Sequence, residues 1–167
     1  MNEELERLGD PITQWDLFFL LTLCIIALQH PGHIHVIQLE PFGIDFGDVC
    51  EEKGLLGGTI QTENGQGVLI NPKIDKSKLL TTIAHEAVHL IQFMKGNTKR
   101  TQGRGVIEWM GKLHKILTPN DPAYDDQPWE EEAYRLTPQI IDYLHSVPKD
   151  EMVKLREDLL ASPKTGQ

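Results

Sequence analysis

Two histidines four residues apart, with a glutamate directly after the first, make His85-Glu86-Ala87-Val88-His89 the most chemically loaded stretch of the chain. On a helix, positions i and i+4 share one face about a turn apart, so both imidazoles can reach a single metal ion. Glu86 then stands beside the first ligand, where a carboxylate can take a proton from a metal-activated water. That is the general-base role of metal-assisted hydrolysis. A catalytic zinc centre needs three protein ligands and an open fourth position, so a third ligand must come from elsewhere in the chain. Pro128-Trp129-Glu130-Glu131-Glu132-Ala133 offers three consecutive carboxylates at the start of another expected helix. Neighbours on a helix diverge by about 100°, so one or two of the three can face a given partner. The others belong to a solvated first turn that favours negative charge. Tyr124, Tyr134, Tyr143 and His145 are candidate donors to an oxyanion. His33 and His35 would share one face of a strand, with His30 nearby, but spacing places no further ligand to complete a metal site there.

These residues need elements to hold them. The apolar stripe Leu79, Leu80, Ile83, Ala84, Ala87, Val88, Ile91 and Met94 predicts a helix from about Asp75 to Lys95, with Asp75 or Ser77 as cap and Gly96 at the C′ position. Pro128 suits the first turn of the helix that carries the carboxylates, and Thr137-Pro138 predicts a break or kink before it continues to about Ser146. Pro148 opens a last amphipathic helix to about Leu160. Upstream, Thr13 with Asp16 resembles a capping box ahead of the apolar run Leu17–Leu28, which suits a core helix. His33–Leu39 reads as a strand between Gly32 and Pro41. The glycine-dense stretch Phe42–Val68 reads as short strands with tight turns, Asn64-Gly65 being a good hairpin dipeptide, and Asn71-Pro72 closes the sheet. Val106–Leu117 is expected to be helical. The expected fold is α+β: a small mixed sheet packed on the His85–His89 helix, followed by a helical C-terminal half. A single domain is expected, with residues 1–50 giving a helix and strand, 51–96 the sheet and motif helix, and 97–167 the helical half.

Composition narrows the function. The chain has 167 residues, 40% hydrophobic and 25% charged, a soluble globular balance. Sixteen Lys and Arg against 25 Asp and Glu give a net charge of −9, which argues against a duplex nucleic-acid binder. Charge is also uneven: Lys95–Lys115 carries a local +5 and Asp121–Arg135 a local −5, two solvated surfaces or the opposed rims of a cleft. Cys24 and Cys50 lack metal or disulfide spacing and read as reduced and buried. The run Leu17–Leu28 is too short for a membrane span and its acidic flank does not suit a signal peptide, so a cytoplasmic location is expected.

His85-Glu86-x-x-His89, the Gly-rich sheet ending Ile70-Asn71-Pro72 and Pro128-Trp129-Glu130-x-Glu132-Ala133 together resemble the gluzincin metallopeptidases, the compact minigluzincins most of all. The resemblance covers about residues 55–145 and is one of motifs. It implies a zinc-dependent metallopeptidase acting on a peptide or protein, with Zn2+ held by His85, His89 and Glu132, and Glu131 as the runner-up. It also implies Glu86 as general base and Gly65–Ile70 as an edge strand that binds peptide by strand addition. A metzincin-type third histidine is missing: Leu90, Ile91, Gln92 and Phe93 simply continue the helix. Two other readings stand beside this one, a zinc-stabilised interaction module without proteolysis and a regulatory peptidase with one protein substrate.

Overall fold

In a computed structural model, described for Leu8 and residues 11–29, 42–62 and 65–161, the expected α+β architecture is found. The elements run α1 (Gln14–Gln29), β1 (Phe42–Phe46), α2 (Asp48–Glu52), β2 (Gly57–Thr62), β3 (Gly65–Ile70), α3 (Lys76–Met94), β4 (Thr98–Arg100), β5 (Val106–Trp109), β6 (Lys112–Lys115), a 3-10 turn (Tyr124–Asp126), α4 (Pro128–Ser146) and α5 (Lys149–Ala161). The expected strand His33–Leu39 and the cluster His30, His33 and His35 lie outside the described residues, as does Asn64 of the hairpin dipeptide.

Helix α1 starts as its sequence asks. The backbone N–H of Thr13 donates to Asp16 Oδ2 (2.7 Å), and the Asp16 N–H donates back to Thr13 Oγ1 (3.2 Å), a reciprocal capping box. Beyond it, Leu17, Leu20, Leu21, Leu23, Cys24, Ile25 and Leu28 are buried, and only a narrow stripe through Phe18, Thr22 and Ile26 reaches solvent. It packs against α3, α4 and β1. Each fully buried Leu or Ile contributes about 1.5–3 kcal/mol of burial energy, so this helix is fixed by its side chains.

The first sheet has the order β1-β3-β2, with β1 parallel and β2 antiparallel to β3. It is the expected small mixed sheet, and it packs on α3 through β2 and β3. Its order corrects one expectation. Gly65–Ile70, which the resemblance makes the peptide-binding edge, is the central strand, with its backbone groups engaged on both sides. The edge strand beside α3 is β2. The parallel partner β1 lies far back in the chain, a pairing that no local pattern announces.

A second correction concerns residues 106–117, expected as helix. Val106–Trp109 and Lys112–Lys115 form an antiparallel hairpin, and β4 adds to it in the order β4-β5-β6. Met110 and Gly111 both take positive φ (50° and 83°), as a type I′ turn requires, and that turn's twist matches the flanking strands. The second half of the chain is therefore a small sheet followed by helices.

Helix α3 ends where expected. Gly96 takes φ 75°, and its N–H donates to Phe93 O (3.0 Å). Asp75 holds the N-cap position, but its side chain makes no capping bond. Helix α4 has Pro128 in its first turn, and it runs unbroken through Pro138 rather than breaking there. Thr137 Oγ1 donates to Ala133 O (2.7 Å) just before the proline. One buried core joins α1, the β1 and β3 strands, α3, α4 and Met152 of α5. Cys24 and Cys50 are buried free thiols. Among the described residues no helix is long and apolar enough to cross a membrane.

Candidate metal centre

Helices α3 and α4 pack directly on one another. The apolar stripe of α3 faces the core, and its turn from His85 to His89 faces the start of α4. His85 Nε2 lies 3.1 Å from His89 Nε2, as the i, i+4 spacing allows. Glu130 enters from the first turn of α4 and places Oε2 3.0 Å from His85 Nε2 and Oε1 3.2 Å from His89 Nε2. Among the described residues this trio is the one His, Cys, Asp or Glu group with metal-ligand geometry.

Those distances test whether the residues suit zinc. Tetrahedral ligands about 2.0–2.1 Å from the ion sit about 3.3–3.4 Å from one another. Here the two imidazole nitrogens stand 3.1 Å apart, within a few tenths of an ångström of that spacing, and each faces its own oxygen of Glu130, Oε2 at 3.0 Å from His85 and Oε1 at 3.2 Å from His89. Two imidazoles and a carboxylate form a donor set that zinc accepts, and with one atom from each residue the three lie within 4.8 Å of one another.

Helix phase separates the three glutamates. Glu130 is buried between the helices, Glu131 is exposed and Glu132 is half-buried. Glu132, which the resemblance offers as the third ligand, accepts a hydrogen bond from Gln92 Nε2 (2.9 Å) and lies 3.8 Å from Arg135 Nη2. The carboxylate that meets the histidines is that of Glu130.

Metal-free electrostatics fit the same picture. Burial is the largest influence on His89 and pulls its pKa down. The Glu130 hydrogen bond and the charges of Glu86 and Glu130 together outweigh it and lift the imidazole to about 9. Burial likewise pushes Glu130 up, but hydrogen bonds and charge from His85 and His89 bring it down to about 2. Without an ion, a proton on His89 partners the Glu130 carboxylate.

Glu86 is 7% exposed, and its Oε2 accepts a hydrogen bond from Thr59 Oγ1 (2.9 Å) on β2. Its charge is felt by His89, Tyr124 and Tyr134, which places it beside the trio. Gly57 permits this approach of strand to helix: a Cβ there would stand 3.0 Å from Thr82 Cγ2 and 3.3 Å from Glu86 Cγ.

Of the four candidate oxyanion donors, two are at the site. Tyr124 OH donates to Glu130 Oε1 (3.2 Å), and burial, followed by the Glu130 charge, holds its phenol protonated. The Tyr134 ring lies 4.9 Å from that of His85, and burial and a hydrogen bond to Asp125 raise its pKa. Tyr143 and His145 sit near the far end of α4, about 20 Å along the helix from Glu130 at 1.5 Å per residue. Sequence reasoning passed over Thr59, Gly57 and Gln92. Gln92 had a readable signal, being one amide in the otherwise apolar run Leu90–Phe93 three residues after a ligand.

Compared with known protein families, curated proteins and solved structures, the chain matches none.

Proposed function

We propose that this protein is a zinc-dependent metallopeptidase of the gluzincin type, with His85, His89 and Glu130 as the metal ligands. The observation that carries this reading is the cluster of two imidazoles and one carboxylate, whose ligand atoms lie within 4.8 Å of one another, flanked by the buried Glu86 carboxylate. Three protein ligands is the number used by catalytic zinc sites, whereas structural sites use four. Among the described residues that count favours hydrolysis over a zinc-stabilised interaction module.

Bound zinc would supply Lewis acidity, which polarises a peptide carbonyl and acidifies water. Glu86 holds and moves the proton. One of its oxygens is anchored by Thr59 Oγ1, and the other is left to take a proton from water and hand it to the departing amine. An extended peptide would pair with the outer edge of β2, where Arg100 Nη2 now bonds Thr59 O (3.3 Å) and would be exchanged. Tyr124 and Tyr134 are the donors within reach of the developing oxyanion.

The test combines metal analysis with a peptide-library cleavage assay on wild type, Glu86→Gln and His89→Ala. The expected result is about one zinc per chain in wild type and Glu86→Gln. Loss of zinc is expected in His89→Ala, and a fall in cleavage of at least about 10²-fold in Glu86→Gln. Wild-type cleavage by Glu86→Gln would refute the mechanism, and a zinc-loaded wild type that cleaves nothing would favour the interaction module.

A further inference from the structure

Behind His89, on the side of the ring away from His85 and Glu130, the two helices are joined by a buried polar chain that ordinary packing does not require. Gln92 is 3% exposed and three residues beyond His89 on α3. Its Oε1 lies 2.9 Å from His89 Nδ1. Its Nε2 donates to the Trp129 carbonyl (3.0 Å) and to Glu132 Oε2 (2.9 Å), both on α4.

The chemistry of these partners fixes the orientation of the amide. A backbone carbonyl and a carboxylate accept hydrogen bonds and cannot donate them, so the NH2 end must face α4. A flipped amide would set its oxygen against two acceptors and leave the NH2 group facing His89. The oxygen therefore faces His89 Nδ1, which must carry a hydrogen. Neutral imidazole then has its lone pair on Nε2, the atom that meets His85 and Glu130.

We infer that Gln92 and Glu132 are positioning residues that hold His89 in the Nδ1–H form with Nε2 aimed at the metal. Glu132 thus serves the centre from behind, two hydrogen bonds removed from the ion, while Glu130 touches it. The inference rests on the metal-centre reading above, not on peptidase activity. Outer partners of this kind set ligand orientation and basicity, and losing one weakens metal affinity by about 10–100-fold.

Zinc affinity, measured by competition with a chromophoric chelator, tests this on wild type, Gln92→Met, Glu132→Gln and Glu130→Gln, with thermal unfolding alongside. Gln92→Met keeps the length of the side chain but removes the acceptor, and should bind zinc about 10–100-fold more weakly. Glu132→Gln keeps an oxygen for Gln92 Nε2 and should stay within about threefold of wild type. Glu130→Gln should lose more than Gln92→Met, because it alters a ligand. Gln92→Met with a lowered Tm but unchanged zinc affinity would show that Gln92 only joins the helices, and would overturn the inference. So would Glu132→Gln losing zinc as a ligand variant does. Should Gln92→Met fail to fold, long-range 15N–1H correlation spectra of the zinc-loaded wild type decide: a hydrogen on His89 Nδ1 is expected, and one on Nε2 overturns the proposal. A wild type that binds no zinc would instead sink the metal-centre reading itself.

Discussion

Adding one methyl group at Gly57 tests how tightly β2 is pressed against the motif helix. In Gly57→Ala the new Cβ would stand 3.0 Å from Thr82 Cγ2, 3.2 Å from Leu69 O and 3.3 Å from Glu86 Cγ. Carbon atoms sit comfortably at about 3.5–4.0 Å, so roughly half an ångström must be found. One neighbour is backbone, and the other two belong to side chains buried on α3, so none gives freely. Overpacking of this kind costs about 1–3 kcal/mol. For a chain of this size the cost corresponds to a fall in Tm of about 2–12 °C. The strand carries Thr59, whose hydroxyl holds Glu86, so the shift also disturbs the general base and should lower peptide cleavage by about tenfold. Zinc content should not change, because the methyl touches none of His85, His89 and Glu130. Gly58→Ala is the control, since a Cβ there meets nothing within 4 Å and should leave Tm within about 2 °C. Thermal melts followed by circular dichroism, zinc analysis and cleavage rates on the two variants decide the matter. Equal behaviour of Gly57→Ala and Gly58→Ala would refute the claim that strand and helix are in tight contact at Glu86.

Other perturbations give separate readings. Met110 is 63% exposed and sits at φ 50°, so Met110→Asn loses little packing and relieves a left-handed residue; it should raise Tm by about 1–4 °C, and an unchanged or lower Tm would speak against the turn geometry. In the metal-free protein His89 is raised to about 9, so its share of stability is full below its ordinary value near 6.5 and is lost as pH rises through 9. Glu130 is depressed to about 2, so its share is present above its ordinary value near 4.5 and is lost as pH falls through 2. Denaturant melts of metal-free protein should therefore show this pair contributing most between about pH 4.5 and 6.5, and in His89→Ala the contribution should shrink to what Glu130 keeps through its hydrogen bond with His85. Zinc must displace the His89 proton, so chelator competition should show tighter binding as pH rises from 6 to 9; affinity that is flat over that range would contradict the protonated imidazole.

What the sequence made legible was local. The Thr13–Asp16 capping box, Pro128 in the first turn of α4 and Gly96 after α3 each follow from residues within one turn of one another, and all three are found. His85 and His89 meet because both lie on one helix. What stayed hidden depended on the phase between elements. Glu130, Glu131 and Glu132 are equivalent by spacing, and only the rotation of α4 against α3 buries the first and turns the third to Gln92. The place of Gly65–Ile70 within its sheet depends on the parallel pairing with Phe42–Phe46, a contact across more than twenty residues. Residues 106–117 mislead because Ile107, Met110 and Leu113 also recur at helical spacing. The left-handed turn at Met110-Gly111 and the pairing of β5 with both β4 and β6 decide for a hairpin.

The largely buried helix α1 also bears on how the protein is made. Its apolar side chains are covered partly by α4, which begins at Pro128, roughly a hundred residues after α1 ends at Gln29. At translation rates of about 5–20 residues per second, that gap amounts to about 5–20 s during which a water-averse helix has left the ribosome without its full cover. Nascent chains at this stage expose the surface that holding chaperones bind and that sticks to neighbouring chains. Chains released before α4 is made should accumulate as aggregates, and the full-length protein should depend on chaperone supply during synthesis far more than it does once folded.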